Sequence, residues 1–64
     1  MTVIKALRNE IHPAENVEIY DNNGTLTCSS ICEDIAFHIN GTDFAEREVA
    51  RIDITEYSTI INLK

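Results

Sequence analysis

The sequence predicts a small α+β domain in the order α-β-β-α-β-β: two β-hairpins form a mostly antiparallel four-stranded sheet, with an N-terminal helix and a short middle helix packed on one face. Three observations carry this. Apolar residues recur at helical spacing over the first turns of the chain. An Asn-Gly pair interrupts two alternating runs between Val17 and Ser29. Two further strand-like runs close the sequence.

Thr2–Glu10 reads as the first helix. Val3, Ile4, Leu7 and Ile11 make one stripe at helical period, with Lys5, Arg8 and Asn9 facing away. Pro13 ends it, because a proline pushes the preceding residue out of the α region. Val17–Tyr20 alternates, with Val17 and Ile19 on one face and Glu18 and Tyr20 on the other. Asp21-Asn22-Asn23-Gly24 follows as a tight turn. Asn-Gly tolerates the positive φ angles of a type I′ hairpin. Thr25–Ser29 alternates again, with Leu26 and Cys28 inward.

Ser30-Ile31-Cys32-Glu33 fits a capping box, in which a serine and a glutamate three residues on satisfy each other's free N–H groups. The helix it starts carries Ile31 and Ile35 on one face and ends near Ala36. Phe37–Asn40 reads equally as extended chain or a short bridge, Asn40-Gly41 as a turn, and Asp43–Arg47 as a helical turn or loop. Glu48–Thr55 is a strand with Ala50, Ile52 and Ile54 on one face and Val49, Arg51 and Asp53 on the other. After a turn at Glu56–Tyr57, Ser58–Leu63 is apolar on both faces, since Ile60 and Ile61 are adjacent. It is therefore a central strand or one covered by a partner.

With 64 residues the chain has room for one domain, 1–64, and one thin core. At 44% hydrophobic it is too apolar for disorder despite a net charge of -6. No signal-length apolar run and no membrane-spanning stretch occurs, and two cysteines make no disulfide scaffold, so the expected location is cytoplasmic. The charge is lopsided. Between Arg8 and Arg47 there is no Lys or Arg, while Glu10, Glu15, Glu18, Asp21, Glu33, Asp34, Asp43 and Glu46 all fall there. Such a field repels nucleic-acid phosphates and anionic membranes and is compatible with a protein partner that presents a basic surface. Acidic residues also serve solubility alone.

No catalytic, cofactor or metal site is expected. Cys28 and Cys32 are separated by three residues, without the tighter knuckle or paired histidines of a zinc site and without redox C-x-x-C spacing, so both read as small core residues. His12 reads as a cation near a helix C-terminus, and His38 has no nucleophile or carboxylate placed with it. Asp21-Asn22-Asn23-Gly24 lacks the closing glutamate of a calcium loop.

The run Val17-Glu18-Ile19-Tyr20-Asp21-Asn22-Asn23-Gly24, the step Asp34-Ile35, and Glu48-Val49 leading into Arg51-Ile52-Asp53-Ile54 resemble small uncharacterised proteins of phages and mobile elements in Gram-positive bacteria. The resemblance implies a setting in which short accessory genes commonly encode binders of host proteins. The functional expectation is a non-catalytic accessory protein acting by protein–protein binding. Its sharpest form is an anti-CRISPR-like or DNA-mimic inhibitor of a host nucleic-acid-handling enzyme, with Glu18, Tyr20, Asp21, Glu33, Asp34, Asp43 and Glu46 as partner-binding residues. The alternative is a self-associating homodimer that pairs through Thr59–Leu63.

Asn23-Gly24 and Asn40-Gly41 are deamidation sites. Peptide mapping of protein aged at alkaline pH is expected to find acidic products at both positions; intact asparagine at either contradicts the assignment.

Overall fold

The computed structural model describes residues 1–64 and contains a four-stranded mixed sheet with two helices packed on one face. The strands are β1 (Asn16–Tyr20), β2 (Leu26–Ile31), β3 (Val49–Ile54) and β4 (Thr59–Leu63), arranged β2-β1-β4-β3. The outer pairs are antiparallel hairpins, and β1 and β4 join them in parallel. The helices are α1 (Val3–Lys5), which continues as a π-helical segment (Ala6–Glu10), and α2 (Cys32–Ile39); a 3-10 turn (Asp43–Glu46) follows α2. The α+β class and the element order are those the sequence predicts.

The core lies between the sheet and the helices. Val17, Ile19, Ile61 and Leu63 project from the two central strands onto Val3, Ala6, Leu7, Ile11, Cys32 and Ile35. β4 sits between β1 and β3, which explains its apolar residues on both faces: Ile61 is wholly buried against the helices, while Ile60 is half-buried on the open side. A pairing of β4 with a second copy is therefore ruled out as drawn. Its two neighbours occupy both of its edges, and the free edges of the sheet belong to β2 and β3.

Local chemistry departs from the sequence reading in four places. The first hairpin does not use a type I′ turn, because no residue other than Gly24 and Gly41 has a positive φ. Gly24 at φ +82° follows a turn closed by Gly24 N–H to the Asp21 carbonyl at 3.0 Å. This matches a type I turn with a glycine bulge, one residue longer than the predicted loop. The Asp21 carboxylate holds it by accepting from the Asn23 and Thr25 N–H groups, both at 2.9 Å.

Second, a bulge at Thr27 shifts the β1–β2 register, so that Ile19 faces Cys28 but Tyr20 faces Leu26. Leu26 is carried to the open face and is 49% exposed, whereas Cys28 stays against the core. A matching irregularity at Ala50 places Val49 rather than Ala50 on the core side, opposite Leu63. Ile54 shares the face of Ile52 but lies beyond the reach of the helices, at 83% exposure.

Third, the capping box does not form. Ser30 remains in β2 opposite Val17, and the N-cap of α2 is Ile31, which makes no side-chain cap. The free N–H groups of the first turn go instead to backbone carbonyls of the loop between the π-helical segment and β1, Cys32 to Glu15 at 2.8 Å and Glu33 to Pro13 at 3.0 Å. Starting one position later puts Cys32 and Ile35 inward and leaves Ile31 exposed. Fourth, α2 runs on through Phe37 to Ile39, so this stretch is helical rather than extended.

The start of the chain is tied to β3. Val49 N–H donates to the Met1 carbonyl at 2.8 Å, Thr2 bridges Glu48, and the Met1 amino group lies 3.0 Å from the Glu48 carboxylate. That amino group holds Glu48 below the usual carboxylate range. Because the folded value is the depressed one, the pair supports the fold above the ordinary glutamate pKa and is lost as pH falls through the folded value.

A domain of this length has a folding free energy of about 3–10 kcal/mol. Ile61→Ala, at the wholly buried centre of β4, is expected to cost ~2–5 kcal/mol. Ile54→Ala is expected to stay within about 0.5 kcal/mol. Urea denaturation of the two variants checks this; equal losses would contradict the placement of the core.

Candidate functional site

The two layers present different chemistry to solvent. On the open side of the sheet, alternation brings Glu18 and Tyr20 together, and the Tyr20 hydroxyl donates to Glu18 Oε1 at 2.5 Å. The Ser58 hydroxyl donates to the other oxygen at 3.3 Å. The carboxylate accepting its proton pushes the Tyr20 hydroxyl above the ordinary tyrosine range. Towards β3, Asp53 Oδ2 accepts from Arg51 at 2.8 Å and from Asn62 at 3.1 Å. This face is a pair of closed polar networks astride Ile60, and its carboxylates are already engaged within the chain.

The helix side is less self-satisfied. The π-helical segment and α2 lie side by side, with Pro13 against the start of α2 and Arg8 reaching its end, where the guanidinium donates to Asn40 at 3.1 Å. Between them runs an open groove of about 610 Å³. Leu7, Ala36 and Phe37 give it apolar walls, Cys32 its floor, and Glu33 and Arg8 its two charged rims. Phe37 is 81% exposed. In α2 the residues that meet the core are Cys32, Ile35, Ala36 and Ile39, and Phe37 falls outside that stripe. Its ring makes an edge contact with His38, the centroids 5.9 Å apart.

Acidic charge gathers at the α2 end nearest Pro13. Glu33 and Asp34 are exposed in the first turn, where the helix dipole favours negative charge. Glu15 is brought beside them by the loop whose carbonyl caps Cys32. Burial, and then the charges of Glu33 and Glu15, push the Cys32 thiol above its ordinary value. The thiol donates to the Leu7 carbonyl at 3.1 Å, a contact that requires the protonated form. Cys28 is also raised, by burial alone, and both cysteines are free thiols. His12 Nδ1 accepts from Ala14 N–H at 3.1 Å, so the ring braces the loop after the π-helical segment.

The seven acidic and aromatic residues expected to bind a partner thus divide by layer. Glu18 and Tyr20 touch each other on the open sheet face. Asp21 sits in the first hairpin turn, with its carboxylate spent on backbone N–H groups. Glu33 and Asp34 stand at the start of α2, and Asp43 and Glu46 in the 3-10 turn beyond its far end, about 12 Å of helix away. They do not form one face. Sequence reasoning missed the groove because it ended α2 near Ala36; a helix extended to Ile39 would have shown Phe37 as an aromatic outside the buried stripe.

In the native protein Cys28, half-buried, is expected to react with iodoacetamide before Cys32, and both more slowly than an unfolded thiol. Mass spectrometry of a timed alkylation checks the order; first reaction at Cys32 would contradict it. No protein-family model, no curated protein and no solved structure matches this chain.

Proposed function

We propose that the chain is a non-catalytic binding domain whose helix-side groove takes a basic segment of a protein partner. The observation that carries this is the pairing of an aromatic side chain left in solvent with a groove that carries a carboxylate, Glu33, on one rim. Phe37 supplies an apolar anchor, Glu33 on the rim supplies complementary charge for lysine or arginine, and Asp34 is exposed beside it in the first turn of α2. A net charge of -6 steers a cationic partner towards the domain and disfavours nucleic acid or an anionic membrane as the direct ligand. No helix is long and apolar enough to cross a membrane.

The most specific form of this proposal is an accessory inhibitor, of the phage-encoded kind, that occupies the basic surface of a nucleic-acid-handling enzyme. The carboxylates that support it are those of the helix layer, Glu33, Asp34, Asp43 and Glu46, because those on the open sheet face are held in internal hydrogen bonds.

Affinity capture with quantitative mass spectrometry tests the reading. Partners are expected to be basic, to dissociate as ionic strength is raised from about 50 to about 500 mM, and to be lost from a Glu33→Lys/Asp34→Lys double variant. Phe37→Ala is expected to weaken the same partners roughly tenfold or more. Capture that survives both variants and high salt would refute the groove as the binding site.

A further inference from the structure

The two free edges of the sheet are unlike each other. β3 carries Arg51 and Asp53, is broken by the irregularity at Ala50, and has the start of the chain bonded at Val49 and Glu48. These are devices that block pairing with another strand. β2 has a bulge at Thr27 but no charge and no proline, and nothing in the structure pairs with its outer side. It lies in the stretch from Asn22 to Cys32, which contains no charged residue in a chain of net charge -6. Two acidic copies can approach there with the least repulsion.

We propose that β2 pairs antiparallel with β2 of a second copy, across a two-fold axis at Ser29, to give a continuous eight-stranded sheet. A two-fold perpendicular to the sheet keeps each residue on its own face, so Ser29 meets its own copy and Cys28 meets Ser30. Ile31 then meets the position of the Thr27 bulge, where Leu26 is turned onto the same open face. Leu26 and Ile31, 49% and 39% exposed in the single chain, become cross-strand neighbours. The self-complementarity of this register selects a second copy over a foreign strand. Six residues of edge bury far less than the ~1,200 Å² of a stable interface, so the dimer is weak and depends on concentration.

Sedimentation equilibrium up to about 1 mM tests this. Dimer is expected to accumulate with concentration and to strengthen as salt screens the like charges, opposite to the salt response of a basic partner in the groove. The failure of one proposal is thereby distinguishable from the failure of the other. Ser29→Lys, which places two cations face to face on the axis, is expected to weaken the dimer at least about tenfold with an unchanged circular dichroism spectrum. Leu26→Thr removes the apolar contact while keeping a strand former, is expected to weaken it too, and decides the matter if the lysine variant fails to fold. A chain that stays monomeric to about 1 mM overturns the proposal and leaves the edge to an extended segment of another protein; so does a dimer indifferent to the substitutions.

Discussion

Ile19 and Ile61 face each other across the parallel β1–β4 pair, and neither is exposed at all. Parallel neighbours cannot be joined by a tight turn and need a connection long enough to cross over. Here that connection includes β2, α2 and β3 as well as the loops, so the central pair closes only when nearly the whole chain is in place. The hairpins are local and each has its own turn chemistry, at Asp21–Gly24 and at Thr55–Ser58, where the Thr55 hydroxyl and the Ser58 backbone bond reciprocally. What makes them one domain is the aliphatic contact between strands whose facing residues, such as Ile19 and Ile61, lie 42 positions apart in sequence.

A chain this short has helix enough for one face of a sheet and no more. The other face must be compatible with water, and it is made so by pairing its polar groups with each other: Tyr20 and Ser58 on Glu18, Arg51 and Asn62 on Asp53. Such internal satisfaction lowers the capacity of those carboxylates to bind anything else. The helix layer is under no such constraint. Glu33, Asp34 and Phe37 are left exposed because α2 is anchored through its other side by Cys32 and Ile35.

The sequence was legible wherever a side chain's role is set by its neighbours in the chain. Val3, Leu7 and Ile11 of the predicted stripe, the alternation of Val17 and Ile19, and the two-faced apolar run at Ile60 and Ile61 all report burial at the period of their element, whereas Ile4 of that stripe is only half-buried and Ala6 takes its place in the core. It was not legible where backbone partners from elsewhere decide the outcome. Ser30 had the side chain for a cap, but the carbonyls of Pro13 and Glu15 reach the first turn of α2 and make it unnecessary. The inward set of residues in β2 and β3 depends on irregularities at Thr27 and Ala50 that no local pattern announces. The scattering of the carboxylates over two layers is of the same kind, since it follows from which side of the sheet the helices cover.

The irregularities at Thr27 and Ala50 also fix how the chain can change in length. In an alternating strand, removing one residue exchanges the two faces for everything beyond the gap. At these two positions an unpaired residue is already present, so a one-residue deletion would restore simple alternation in the ladder instead of disrupting it. The strand would then straighten and lose the local twist that the extra residue imposes. Length variation among descendants of this sequence should therefore be absorbed at the bulges and at the turns, while the uninterrupted ladders of β1 with β4 hold a constant length.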